Sequence, residues 1–236
     1  MKLAIIINSL RWQNGGTRVA LSLARELARR GHGVTVYTSR YSPAHTYAHL
    51  IRDFRVVALP EGFPLKPQPI LGLNLPGLAT IAAYRHTHRM ARALAALIDP
   101  DIDAVNPHSS GLGYPTAHYF KRRVEDVPVV WHMNDLELLE WLNCDASIFN
   151  PEPRCSPVKR LFLRVIDWYD THIILPSVDA ISVLSEDTRT LARTKLGREA
   201  TVIRAGVDAE LFPYRERTPP GRQLRLLSFA SFFTHR

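Results

Sequence analysis

Leu3-Ala4-Ile5-Ile6-Ile7, then Asn8-Ser9-Leu10-Arg11-Trp12-Gln13-Asn14, then Gly15-Gly16-Thr17: this stretch decides the fold. The apolar run is short, rich in isoleucine and free of polar alternation, which is the pattern of a central parallel strand buried on both faces. The residues from Asn8 to Asn14 read as a polar loop. From Thr17 the period turns helical. Val19, Ala20, Leu23, Ala24, Leu27 and Ala28 form an inward stripe, with Arg18, Arg25, Arg29 and Arg30 on the other side. Gly31 is the expected helix stop, and residues 33–38 read as the second strand. The result is a β-α-β unit with two glycines where strand hands over to helix.

That junction has a chemistry of its own. The first turn of a helix leaves N–H groups unpaired, and the helix dipole places partial positive charge there. Glycines let a ligand approach the backbone, so strand, glycine pair and helix start together are a candidate phosphate site, although a bare Gly-Gly on its own favours a tight turn. The competing reading is a plain tight turn. The fingerprint G-x-G-x-x-G is absent, and Thr38-Ser39-Arg40 stands where an acidic residue would close the second strand, which argues against NAD.

Composition sets outer bounds. The chain has 236 residues, 46% of them hydrophobic, enough for a large α/β core. No apolar run approaches the ~20 residues of a membrane span. The five apolar residues after Met1-Lys2 are too few for a signal peptide, so a cytoplasmic location is expected. Cys144 and Cys155 lack C-x-x-C spacing and read as free thiols. A formal net charge of +8 suits an anionic partner, or is simply a basic surface.

Further along, residues 41–53 read as a loop with room for a short helix, and residues 54–59 as a third strand. Pro60, Pro64, Pro67, Pro69 and Pro76 then punctuate an apolar stretch that is not regular structure. Such a loop either packs on its own domain or meets a greasy ligand or a membrane. Residues 78–98 read as a long helix with Leu78, Ile81, Ala82, Met90, Ala91, Leu94, Leu97 and Ile98 inward. Arg85, His86, His88, Arg89 and Arg92 form its basic patch, which is either a wet face or a contact for acidic lipid. No aromatic residues interleave with the patch, so nucleic acid is not expected as a partner.

Residues 103–106 and 128–131 read as the fourth and fifth strands, ending at His108 and at His132-Met133-Asn134-Asp135. In an open parallel sheet, ligands bind at the carboxyl ends of the strands. Gly15-Gly16, His108, His132 and Asp135 all fall on that edge, which makes the His–Asp pair a candidate for contacting a sugar or phosphate. A helix is expected over 158–174 with Leu161, Phe162, Val165, Ile166 and Tyr169 inward. A sixth strand over 180–184 leads into Ser185-Glu186-Asp187-Thr188, which resembles a capped helix start, and Gly197 ends that helix. Residues 201–203 are the seventh strand.

Taken together, the Gly-Gly turn after strand one, His132 after strand five, Ser185-Glu186 after strand six and the stretch Ile203, Gly206, Val207, Asp208, Phe212 resemble one family. The chain looks like the N-terminal half of a GT-B glycosyltransferase of the family 4 type, the retaining "glycosyl transferases group 1". The family usually has Pro-Asn before Gly-Val-Asp, where this chain has Arg204-Ala205.

The resemblance implies a Rossmann-like, doubly wound, mostly parallel sheet of about seven strands, and a role in glycan biosynthesis. It implies transfer of a sugar from a nucleotide diphosphate sugar to a glycan, lipid-linked or small-molecule acceptor, with retention at the anomeric carbon and without metal or cofactor. His132 and Asp135 would be catalytic, with Asp135 orienting His132. Gly15, Gly16 and Arg236 would hold the donor phosphates. His108, Ser185, Glu186, Gly206 and Asp208 would line the acceptor side of the cleft. Residues 1–212 would form the acceptor-side domain, 213–222 a linker, and 223–236 the first strand of a C-terminal donor domain, so the chain is expected to be an inactive fragment. Peripheral contact with an anionic membrane is a further expectation. The rival readings are a GT-B-shaped nucleotide-sugar epimerase and a non-catalytic, membrane-associated domain.

Overall fold

The isoleucine run forms strand β1 (Lys2–Ile7), and both its faces are covered. In this computed structural model, which describes residues 1–64, 66–70, 76–108, 111–134, 156–209, 212–214 and 216, β1 is flanked on one side by β2 (Gly33–Thr38) and β3 (Arg55–Ala58). On its other side lies β4 (Ala104–Pro107), completing a four-stranded parallel sheet in the order β3-β2-β1-β4. Strands β5 (Val130–Met133), β6 (Ala180–Val183) and β7 (Thr201–Val202) form a three-stranded parallel sheet. Isolated bridges Val105–Val129 and His108–His132 join β4 to β5, so the strands run continuously from β3 to β7. This is the expected doubly wound α/β architecture.

The alternation of β1 divides the core. Ile5 and Ile7 pack with Ala20, Leu21 and Ala24 of helix α1 (Gly15–Arg29) on one face. Ala4 and Ile6 face the other cluster, with Ala91 and Leu94 of helix α2 (Pro76–Leu97) and Ala117 and Phe120 of helix α3 (Gly113–Lys121). Each fully buried Ile or Leu contributes about 1.5–3 kcal/mol, so helices on both faces hold β1 in place and fix where its carboxyl end points.

Several boundaries and faces differ from the sequence reading. Helix α1 starts at Gly15 rather than Thr17, which puts both glycines inside its first turn. Its buried stripe runs Thr17, Ala20, Leu21, Ala24, while Leu23 is exposed. In α2, Leu97 is exposed, and His88, assigned to the basic patch, is buried. The expected helix over 158–174 is α4 (Pro157–Tyr169), a π turn (Asp170–Ile174) and a 3-10 turn (Leu175–Ser177), ending where Pro176 cannot continue a helical ladder.

The inward face of that segment is also shifted: of the five residues expected inward, Phe162 and Ile166 are half-buried and Leu161, Val165 and Tyr169 are exposed. Leu163, Asp167, Asp170 and Ile174 are buried, whereas Leu161 is 62% exposed and Val165 and Trp168 are each 56% exposed. The reason is polar. Tyr84 of α2 donates to Asp170 Oδ1 at 2.7 Å, and Tyr114 of α3 donates to Asp170 Oδ2 at 2.9 Å. Satisfying a carboxylate between two helices outweighs the apolar periodicity. Helix α5 (Glu186–Leu191) and its following π turn (Ala192–Leu196) end at Gly197, whose φ of +62° is the left-handed stop that glycine tolerates.

Two compact units divide the chain, Met1–Arg204 and Ala205–Arg236. Within the second, Phe212 N donates to Asp208 O at 2.8 Å. The expected donor-domain strand over 223–236, the cysteines and the irregular stretch 136–155 lie outside the described residues. Among the described residues, no helix is long and apolar enough to cross a membrane.

Candidate active site at the carboxyl edge of the sheet

Strands β1, β4, β5 and β6 all end on one edge because every pairing among them is parallel. At the end of β1, Asn14 caps α1: its Oδ1 accepts from Thr17 N at 2.8 Å. No acidic residue lies in the first turn of α1, and the N–H groups of Gly15 and Gly16 find no acceptor among the described residues. The helix terminus therefore presents two donors and uncompensated positive dipole.

Neither backbone conformation nor packing calls for glycine at these positions. Both have ordinary φ values. A Cβ at Gly15 would meet nothing within 4 Å. A Cβ at Gly16 would touch only Asn134 Nδ2 at 3.4 Å and Asn14 Oδ1 at 3.6 Å. Glycine in a helix costs up to about 1 kcal/mol relative to alanine. Two such residues leave open space directly over the free amides. The same contact places Asn134, just past β5, against the glycine pair.

Beside it lies a histidine pair. The rings of His108 and His132 stand 4.8 Å apart between centroids, on the bridge that joins β4 to β5. His108 is 2% exposed, and its Nε2 meets Asn106 Oδ1 at 2.9 Å. Burial, and then the neighbouring His132, push its pKa down to about 3, so it is neutral. His132 is 7% exposed. Burial lowers its pKa as well, with Asn134 opposing in part. Its Nδ1 meets Ser182 Oγ at 2.9 Å, across the β5–β6 register that pairs His132 with Ser182. Its buried Nε2 finds no partner among the described residues. A neutral imidazole anchored at Nδ1 with Nε2 left over can hydrogen-bond a hydroxyl or phosphate oxygen.

The other expected site residues fare unevenly. Ser185 is the N-cap of α5, accepting from Thr188 N at 3.2 Å, and Glu186 pairs with Arg189 at 2.7 Å. Both sit two or three residues beyond β6 on the same edge, but each has local structural work. Gly206 and Asp208 belong to the second unit. Asp135 and Arg236 lie outside the described residues. Three residues of this edge escaped sequence reading as site residues. Asn14 could have been found, since asparagine before a helix start is a capping signal. Ser182 and Asn134 carry no such signal, because their approach to His132 and Gly16 depends on strand register and loop placement.

The arrangement sets a helix N-terminus with two amide donors near a pair of buried histidines at the sheet's carboxyl edge. No curated protein matches the chain. Among solved structures, the glycotransferase of kitacinnamycin is similar over 92% of this chain and 55% of its own, with 16% identity and a TM-score of 0.50. A glycosyltransferase from Rickettsia africae ESF-5 is similar over 90% of this chain and 45% of its own, with 10% identity and a TM-score of 0.49. MurG of Acinetobacter baumannii is similar over 86% of this chain and 44% of its own, with 12% identity and a TM-score of 0.41. This chain thus spans about half the length of these structures, and the likeness to the glycotransferase of kitacinnamycin is one of fold. The model of Glycosyltransferase Family 4 matches residues 13–211, from just before the glycine pair to just past the Gly-Val-Asp stretch. The chain belongs to glycosyltransferase family 4.

Proposed function

We propose that this chain is the acceptor-side half of a GT-B enzyme that transfers a sugar from a nucleotide diphosphate sugar to an acceptor with retention at the anomeric carbon. The observation that carries the reading is the glycine pair: two free amides in a capped helix start, with space above them that no described residue fills. In this reading the Gly15 and Gly16 N–H groups donate to the diphosphate and stabilise the negative charge that grows on it as the glycosidic bond breaks. His132 Nε2 hydrogen-bonds the transferred sugar or the acceptor hydroxyl, and Ser182 holds the ring through Nδ1. Asn134 lines the passage between them. Asp135 orients His132, and Arg236 contributes to phosphate binding from the second domain.

Peripheral contact with an anionic membrane belongs to the same reading. It is supported by the exposed apolar side of α4, with Val158, Leu161, Val165 and Trp168. Lys159 stands on this helix, and α2, packed against it, contains no acidic residue. Such a face suits a bilayer interface.

The test is donor turnover by the full-length protein across uridine- and guanosine-diphosphate sugars, with the product's anomeric configuration read by NMR. The expected result is release of nucleoside diphosphate and a product of unchanged configuration. Inversion, or no release from any donor, would overturn the reading.

A further inference from the structure

Helix α2 and the proline-rich loop after β3 enclose an open cavity of about 680 Å³, and neither His108 nor His132 lines it. Four cations line it: Lys66 from the loop, and Arg85, Arg89 and Arg92 from α2. Among the described residues, no aspartate or glutamate lines it and none of these cations forms an ion pair. Arg89 lies 6.0 Å from the Phe63 ring centroid and Arg92 4.8 Å from that of Tyr119, contacts that hold the guanidinium groups without neutralising them. Arg85–Arg89 is an i,i+4 pair and Arg89–Arg92 an i,i+3 pair of like charges, a spacing that weakens a helix unless something compensates it. Pro64, Pro69, Ile70 and Ala82 supply apolar wall.

We propose that this cavity binds a phosphate-bearing ligand. Several unneutralised guanidinium and ammonium groups around one space match a multiply charged oxyanion better than a single carboxylate, because arginine meets phosphate oxygens with paired donors. The volume far exceeds that of an inorganic phosphate, and the apolar walls accommodate an organic body attached to it. Phosphate groups of this kind come from soluble phosphorylated compounds or from lipid headgroups. The cavity recognises what they share. Its occupation needs neither the donor nor the second domain, so the inference stands apart from the transfer reaction.

The experiment uses the chain as it stands. Inorganic pyrophosphate is titrated calorimetrically at low salt. In parallel, binding is measured to phosphatidylcholine vesicles with and without phosphatidic acid. The variants are Arg85→Gln/Arg89→Gln and, as a control of equal charge loss on other exposed surfaces, Arg29→Gln/Arg193→Gln. The double cavity variant should lose about tenfold or more in affinity, the scale of one or more charge-assisted hydrogen bonds. The control should stay within about twofold, the range of an unspecific charge effect at exposed sites. Loss of pyrophosphate binding assigns a soluble ligand. Loss confined to the phosphatidic acid vesicles assigns a lipid headgroup. Absence of binding to both probes, or an equal loss in the control pair, overturns the proposal.

Discussion

Alanine and valine at Gly16 separate a glycine that makes a turn from a glycine that leaves room for phosphate. A Cβ there comes to 3.4 Å from Asn134 Nδ2 and 3.6 Å from Asn14 Oδ1, ordinary contact with side chains that can shift by tenths of an ångström. The φ value is unstrained, so Gly16→Ala should fold and gain up to about 1 kcal/mol of helix propensity. For a domain of this size that raises Tm by up to roughly 2–4 °C. Gly16→Val adds two methyl groups beyond a Cβ that already touches Asn134, and fills the space over the free amides. Displacing one donor from a developing oxyanion costs about 10²–10³-fold in turnover. Turnover of the full-length enzyme should therefore fall at least about tenfold in Gly16→Ala and by the full amount in Gly16→Val, the scale of one such donor. Thermal unfolding by circular dichroism, run beside the transfer assay, should show Tm unchanged or raised for alanine. Activity within twofold of wild type in both variants would refute the phosphate role.

Further expectations follow from the same geometry. His132→Ala should lower turnover about a hundredfold, the range of a positioned polar catalytic group, whereas Ser182→Ala, which only frees Nδ1, should cost a few-fold; equal losses would contradict the roles assigned. Burial holds the pKa of His88 at about 4 and that of His108 at about 3, so each is neutral when folded while its unfolded form protonates near 6.5. Stability is then full above pH 6.5 and lost as pH falls toward 4, at about 1.4 kcal/mol per pH unit for each histidine. Urea unfolding at pH 7.5 and 5.0 should differ by about 4 kcal/mol, and a flat profile would contradict the assignment. Tyr114→Phe removes the donor at 2.9 Å from Asp170 Oδ2 and should destabilise by about 1–3 kcal/mol in the same assay. Leu161→Asp/Trp168→Asp should abolish salt-sensitive sedimentation with anionic phosphatidylglycerol vesicles, and unchanged sedimentation would remove α4 from the membrane face.

Residues with strong periodicity or punctuation were legible in the sequence. The β1 run, the stop at Gly31, the second strand and the left-handed cap at Gly197 stand where the pattern places them. The carboxyl edge could be inferred because parallel strands must all end on one side, and this brought Gly15, Gly16, His108 and His132 together. What could not be read is what depends on partners distant in sequence. The buried face of α4 follows Asp167 and Asp170, because Tyr84 and Tyr114 reach Asp170 from two other helices; periodicity alone favours the apolar side that is exposed. His88 looks like a member of a basic stripe, yet it is buried against the Tyr119 hydroxyl at 2.8 Å. At 3.9 Å from Asp170 and neutral at pH 7, it makes no ion pair. Ser182 and Asn134 are ordinary polar residues until the strand register brings one to His132 and a loop brings the other to Gly16.

The central claim is that the Gly15-Gly16 amides receive the donor's diphosphate. The most direct measurement is the ¹⁵N–¹H spectrum of the full-length protein, with uridine or guanosine diphosphate added until the spectrum stops changing. The account predicts that the Gly15 and Gly16 amide resonances move downfield and are among the largest shifts, with Asn134 moving beside them. A spectrum that saturates while both glycines stay still, or that never changes with either nucleotide, would contradict it.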